Sequence, residues 1–271
     1  MGPGERVMIE QSINSEYLSG IRQCTNLQEL FQLWQRKQKE TIEFMHAGKI
    51  ITETVNHQSD NKEKPFIPDG IVNPSIWNSG KKRILYVMKE AYGDGWGGAT
   101  LATWIQSGDC IRYHIWRRIA EWTYGIENTT EISVPRYRKL TDEEMKESLQ
   151  QIAVLNLKKS GGTSESWYEE IAAYSAFDRE EIRKEFDLID ADIIVCGSTF
   201  GVLLEKVFEH PALTEKKTSD NWYYFEDFDG SGKRRLYIDG YHPANRWPDL
   251  MNYYTVASIY QQALKANRIE G

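Results

Sequence analysis

The chain has 271 residues, of which 40% are hydrophobic and 27% charged, a composition typical of a globular protein with a sizeable core. Its 40 acidic and 33 basic residues give a formal net charge of −7. This charge excludes binding of nucleic acid by bulk electrostatics, so any such binding must be local. No run approaches the roughly 20 apolar residues of a membrane span, and the first residues lack a signal-peptide pattern, so we expect a cytoplasmic protein with no membrane partner.

Residues 1–80 are expected to form a helical and irregular extension that packs on the core of the protein. Apolar residues at helical spacing over residues 26–45 predict one amphipathic helix. The polar residues 56–64 predict a loop. Residues 65–77 contain three prolines, which argue against a helix or a central strand in this stretch.

From residue 81 onward the pattern becomes that of an α/β domain, which we expect to span residues 81–271. Short apolar runs predict four main strands, over residues 83–88, 152–157, 192–196 and 234–239. Helices are predicted between and after them, over residues 110–124, 141–150, 200–208 and 248–266, and residues 164–186 are predicted to form one or two helices. A turn over residues 229–232 makes residues 222–227 the first arm of a hairpin. The alternation predicts a three-layer α/β/α fold with a four-stranded, mainly parallel sheet.

The ligand site of such a sheet lies beyond the carboxyl ends of its strands. The loops expected there are residues 89–98, 158–164, 197–200 and 240–247. They bring a carboxylate (Glu90), an amide (Asn156), a hydroxyl pair (Ser198 and Thr199) and a histidine (His242) to one edge of the sheet.

These residue types complement one another chemically. A buried amide can read one edge of a planar base, a carboxylate can orient a water molecule, and a histidine can donate to an oxygen that gains negative charge. Tyr92 or Trp96 could stack on the base. Together they suggest a pocket for a single nucleobase.

Four segments of the chain resemble motifs of the uracil-DNA glycosylase superfamily, in the branch marked by a Gly-Glu-Ala-Pro-Gly motif. They are KEAYG (89–93), VLNLKK (154–159), DIIVCGSTFG (192–201) and YHPANRW (241–247). The resemblance spans residues 83–247 and implies the three-layer fold of that superfamily. It also implies that Glu90 positions the hydrolytic water, that Asn156 reads the base and that His242 stabilises the departing anion.

The chain departs from the family pattern at three positions. Lys89 stands in place of Gly, Tyr92 in place of Pro and Ala244 in place of Ser. The branch's four iron–sulfur cysteines have no counterpart, because this chain has three scattered cysteines and no CxxC pair. The histidines lack a ligand-like spacing, and the Gly-Gly pairs lack the spacing of a nucleotide-binding loop. We therefore expect no metal and no cofactor.

These observations favour a nucleobase N-glycosidase that acts on a flipped-out or single-stranded base, in DNA rather than RNA. The predicted site comprises catalytic Glu90 and His242, base-binding Asn156, Tyr92, Trp96 and Ser198, and the phosphate or backbone contacts Lys89, Lys158, Asn245 and Arg246.

Two other classes of protein remain open. One is an inactive module of the same fold that binds a nucleotide, a modified base or nucleic acid, and the other is an assembly protein with an aromatic surface. Each site residue also has a structural interpretation: Glu90 as a solvated strand-end charge, Asn156 as a structural hydrogen bond, His242 as a turn residue, the lysines as solvated side chains and the aromatics as packing residues.

Overall fold

A computed structural model describes residues 15–79, 82–92, 100–162, 165–210 and 222–270. The elements follow in the order α1 (15–23), α2 (Leu27–Trp34), β1 (Glu40–His46), β2 (Lys49–Val55), β3 (Gly70–Ile71), α3 (Pro74–Trp77), β4 (Ile84–Tyr92), α4 (Leu101–Ser107), α5 (His114–Asn128), α6 (Asp142–Leu149), β5 (Ile152–Gly162), α7 (Tyr168–Phe177), α8 (Arg179–Ile189), β6 (Ile193–Gly197), α9 (Phe200–Val202), β7 (Tyr223–Glu226), β8 (Arg235–Gly240) and α10 (Asp249–Glu270). A 3₁₀ turn (Asp109–Arg112) precedes α5, and a π-helical turn (Leu203–Val207) continues α9.

The main sheet has six strands in the order β3-β5-β4-β6-β8-β7. Its four central strands pair in parallel, and β3 and β7 pair antiparallel at the two edges. The α/β class is confirmed, but the expected four-stranded sheet is wrong in size. The strand that was not predicted, β3, has only two residues and follows Pro68, so no apolar run in the sequence indicates it.

Helices cover both faces of this sheet, because successive strand residues point to opposite sides. Leu85 and Val87 of β4 join a core with α1, α2, α7, α8 and α9. Ile84 and Tyr86 join a second core with α4, α5, α6 and α10. All four side chains are fully buried. The two cores hold the parallel strands rigidly beneath their carboxyl ends.

The helix expected over residues 26–45 is wrong beyond Trp34. Asn26 caps its start by accepting from the backbone of Glu29. After α2 the chain forms an antiparallel hairpin, β1–β2, in a separate two-stranded sheet. Ala47 and Gly48 join the strands, both with positive φ (49° and 76°), which is the backbone of a tight hairpin turn. The helical spacing of the apolar residues therefore did not decide the structure of residues 40–55, because these residues pair with one another as two strands.

The remaining helices agree with the sequence in position and differ at their ends. Thr141 and Glu144 form the predicted capping box of α6. Residues 164–186 divide into α7 and α8, which meet at Asp178; residue 164 itself lies outside the described residues. Helix α4 was not predicted; it begins with a capping box between Thr100 and Thr103. None of the helices that the structure describes has the length and apolar character needed to cross a bilayer.

Candidate functional site

A cavity of about 550 Å³ opens at the carboxyl ends of β4 and β5. It is lined by Met88, Lys89, Glu90, Ala91, Tyr92, Leu101, Trp104, Tyr113, Ile115, Trp116, Asn156, Ser166, His242 and Ala244. Five residues predicted for the site therefore share one cavity: Lys89, Glu90, Tyr92, Asn156 and His242. Its wall is mostly aromatic and aliphatic, with a few polar groups, which is the usual character of a small-ligand site.

Strands β4 and β5 extend further than predicted, so Glu90 and Lys158 lie on strands rather than in loops. The two residues are register partners, and the pairing shifts between Glu90 and Tyr92, which aligns with Gly162. A side chain at Gly162 would overlap the carboxyl group of Glu90. The glycine therefore leaves room for the Glu90 carboxylate.

Glu90 is buried in an ion pair, and its side chain is 5% exposed. Lys158 Nζ donates to Glu90 Oε2 at 2.7 Å and to Glu170 Oε1 at 2.6 Å, while the Ser166 hydroxyl donates to Glu90 Oε1. Burial lowers the pKa of Lys158, but the two carboxylates outweigh it and raise the pKa overall. Lys158 therefore remains a cation that holds Glu90 in one orientation.

Asn156 is 2% exposed, and Asp69 holds its amide group. Asp69 Oδ2 accepts from the backbone N–H of Asn156 at 2.6 Å and from Nδ2 at 3.1 Å. An ionised carboxylate only accepts hydrogen bonds, so this contact identifies the NH₂ end of the amide. Among the described residues no donor reaches Asn156 Oδ1. The amide can therefore accept from a ligand through Oδ1.

Asp69 is itself held by a buried lysine. Lys159 Nζ lies 2.5 Å from Asp69 Oδ1 and 2.6 Å from Glu185 Oε2, and all three side chains are fully buried. Burial and the nearby Asp69 charge raise the pKa of Glu185 well above its usual range. The buried cluster therefore places the Lys159 ammonium between two carboxyl groups, and the Asp69 carboxyl is the one that also contacts Asn156.

His242 adopts a defined tautomer at the cavity. Its Nδ1 accepts from the backbone N–H of Ala244 at 3.2 Å, so the neutral ring carries its proton on Nε2. Burial, together with a smaller contribution from the charge of Lys89, lowers the pKa of His242 to about 4. The ring is therefore neutral near pH 7 and offers an N–H donor without a positive charge.

Arg118 holds the loop that carries His242, and sequence reasoning missed it. Its side chain is 3% exposed and donates to three loop carbonyls, those of Pro243 (2.7 Å), Asn245 (2.5 Å) and Trp247 (2.5 Å). It also donates to Asp249 at 2.8 Å. These hydrogen bonds hold the loop in one conformation. An arginine within an Ile- and Trp-rich helix gave no signal of this role.

Four predicted contact residues lie outside the cavity lining. Ser198 Oγ accepts from the backbone N–H of His242, and the Asn245 amide bonds the His242 carbonyl and Asn252. Lys158 is engaged by its two carboxylates, and Arg246 is exposed on the loop. Their predicted roles in binding base or phosphate stay predictions. Trp96 lies outside the described residues.

Sequence reasoning also missed the walls of the cavity. Leu101 and Trp104 come from the unpredicted helix α4, and Tyr113, Ile115 and Trp116 come from the start of α5. Asp69 carried no signal beyond its place between Pro68 and Gly70 in a turn-like stretch. An aromatic-rich helix reads equally well as core, so its contribution to a site could not be seen in the sequence.

Comparison of the chain with family models, with curated proteins and with solved structures returned no match. Within the described ranges, no group of three or more His, Cys, Asp or Glu side chains is arranged to hold a metal ion.

Proposed function

We propose that this chain is a nucleobase N-glycosidase of the uracil-DNA glycosylase type, acting on a base that is flipped out or unpaired. The observation that carries the proposal is the convergence of Glu90, Asn156 and His242 on one cavity of about 550 Å³. These residues come from three distant parts of the chain. A carboxylate, an amide and a neutral histidine around an apolar slot match the needs of glycosidic bond hydrolysis.

Base recognition rests on the apolar walls and on Asn156. The faces of a flat heterocycle pack against the aromatic cavity wall of Trp104, Tyr113 and Trp116 in this proposal, and Asn156 Oδ1 accepts from a ring N–H of the base. Because Asp69 binds the NH₂ end of this amide, the acceptor end is presented to the ligand. Removing a base from its stack costs a few kcal/mol, which burial in the slot offsets.

The reaction breaks the bond between the sugar carbon and the base nitrogen. The bonding electrons leave with the base, and His242 Nε2–H stabilises the resulting anion through the base oxygen. Glu90 orients a water molecule, whose oxygen forms the new bond to the sugar carbon and whose proton passes to the carboxylate. The departing base then takes up a proton from solvent. Lys158 and Ser166 hold Glu90 in place for this step.

In this proposal Lys89 and Arg246 contact the phosphate backbone. Lys89 lines the cavity, and Arg246 is exposed on the neighbouring loop. To bind a phosphate, Lys158 would have to leave Glu90 and Glu170, and these two buried carboxylates would then lack a cation. Its role is therefore to position Glu90.

The test uses a panel of oligonucleotides that each carry one modified or deaminated base, with the released base measured by chromatography. We expect Glu90→Gln and Asn156→Ala each to slow release by roughly 100-fold or more, as expected from the loss of a key catalytic or binding group. Exposed Glu143→Gln and Asn128→Ala serve as matched controls and should release base at the parent rate. Release that survives both site substitutions, with circular dichroism unchanged, refutes the assignment.

A binding module is the second candidate, and one observation favours it. Both carboxylate oxygens of Glu90 already accept hydrogen bonds, from Lys158 and Ser166, as in a structural ion pair. Calorimetry with nucleosides, nucleotides and oligonucleotides separates the two functions. Tight binding without released base supports the module, and turnover supports the enzyme.

A further inference from the structure

Exposed aromatic side chains are concentrated around the mouth of the cavity. Five of them form what we call the aromatic rim: Tyr92, Tyr113, Trp222, Tyr241 and Trp247. Among the described residues, two further Tyr or Trp side chains are comparably exposed. Large aromatics on a water-facing surface are costly unless a partner covers them, so their clustering here points to a ligand.

The rim adjoins the cavity through direct contacts and chain neighbours. Tyr92 (72% exposed) and Tyr113 (50% exposed) line the cavity themselves. Tyr241 precedes His242, and its ring centroid lies 4.7 Å from that of Trp247 and 5.6 Å from that of Trp222. The clamp by Arg118 on the Trp247 carbonyl fixes this part of the rim. The aromatic faces therefore lie beside the entrance on a rigid support.

Four basic side chains lie among these aromatics. Lys89 lines the cavity, Arg112 lies over the ring of Tyr113 at 5.4 Å, Arg117 donates to the Arg112 carbonyl, and Arg246 precedes Trp247. None of the four pairs with a carboxylate among the described residues. Four neighbouring cations that have no carboxylate partner in the described part of a chain of net charge −7 favour an anionic ligand.

Resting on the proposed function, we infer that the rim binds the nucleotides flanking the target base in a single-stranded nucleic acid. Aromatic side chains stack on bases whose faces are free, whereas the bases of a duplex already stack on one another. The four cations contact phosphates of the same strand. This occupant uses both features of the surface, its flat apolar faces and its positive charge.

Because the rim region has few cations and many aromatics, we also predict that its affinity for nucleic acid depends only weakly on salt concentration. Each phosphate contact on a single strand contributes about −0.7 to the slope of log affinity against log salt concentration. Four cations therefore allow a slope no steeper than about −3. The stacking contribution persists at high salt, because it does not depend on released counterions.

The experiment measures fluorescence anisotropy of the full chain with labelled oligothymidylate and with a labelled hairpin duplex, neither of which carries a modified base. We expect the single strand to bind about ten-fold more tightly than the duplex, with Tyr92→Ala and Trp247→Ala each weakening it by roughly five-fold or more. Arg246→Gln should make the salt slope shallower by about 0.7. Ile132→Ala and Arg36→Gln, both exposed and far along the chain from the rim, are matched controls.

Several results overturn the inference: equal or tighter duplex binding, a slope much steeper than about −3, or single-strand affinity unchanged in both aromatic variants. Concentration-dependent dimers that Trp247→Ala abolishes would also overturn it, by assigning the rim to a second copy of the chain. Because Tyr92 is 72% exposed, its truncation leaves the fold intact and keeps the test decisive. If the chain binds unmodified strands but releases no base from the panel of modified oligonucleotides, the rim is supported and the glycosidase is refuted, so the two failures are distinguishable.

Discussion

The ion pairs of Arg83 and Lys233 at the amino end of the parallel sheet and those of Lys158 and Lys159 at its carboxyl end lie in opposite settings. At the amino end, Arg83 and Lys233 pair with Asp190 and Asp192, and these side chains are 30–44% exposed. At the carboxyl end, the networks centred on Lys158 and Lys159 are almost completely buried. Exposed pairs can exchange for water at little cost, whereas each buried charge needs its partner. Ion pairs at the carboxyl end therefore fix the geometry of the cavity.

Removal of Lys159 should give the largest effect. Lys159→Met leaves Asp69 buried without a cation, so we expect a loss of about 3–5 kcal/mol in the free energy of unfolding. Urea denaturation followed by tryptophan fluorescence measures this value. A loss below about 1 kcal/mol, as for an exposed pair, would show that the buried cluster is not needed.

Substitution of Asp69 tests whether the buried cluster orients the Asn156 amide toward the ligand. Asp69→Asn can donate as well as accept, so the Asn156 amide no longer has one preferred orientation. We expect kcat/KM for base release, or the affinity of a binding module, to fall by roughly 10- to 100-fold, as for loss of a hydrogen bond to a charged group. Exposed Asp60→Asn is the control, and an equal effect in both variants would contradict the positioning role.

The pH dependence of activity tests the environment of His242. Its pKa is lowered to about 4, so the neutral ring persists down to mildly acidic pH. We expect kcat/KM to change by less than about two-fold between pH 8 and about pH 5.5, apart from other titrating groups. A half-maximal loss near pH 6.5 would indicate a solvated histidine. Stability should fall as pH drops from about 6.5 through 4, because the unfolded chain takes up this proton first.

A substitution at the amino end of the sheet should give the smallest loss in the free energy of unfolding. Lys233→Ala removes an exposed cation from a network that retains Arg83 and Arg235, so we expect less than about 1 kcal/mol of destabilisation. The same urea titration used for Lys159→Met measures it. A loss as large as that of Lys159→Met would remove the distinction between the two ends of the sheet.

The sequence predicted the carboxyl-end position of Glu90, Asn156 and His242, because each follows or ends an apolar strand. It failed for the pair Lys158-Lys159, which reads as a solvated loop. The structure places both lysines on a long strand, where successive side chains point to opposite faces. Their partners Asp69, Glu170 and Glu185 lie in other elements, so no local pattern revealed the burial.

Local rules in the sequence determined the capping box of α6, the buried strands β4, β5 and β6, and the α/β class, because these depend on neighbouring residues. The tertiary structure alone decided the hairpin β1–β2, the edge strand β3, the aromatic cavity wall and the buried charge networks. Such features depend on the approach of distant segments, and the free energy of a buried ion pair exists only once packing has removed water from both partners.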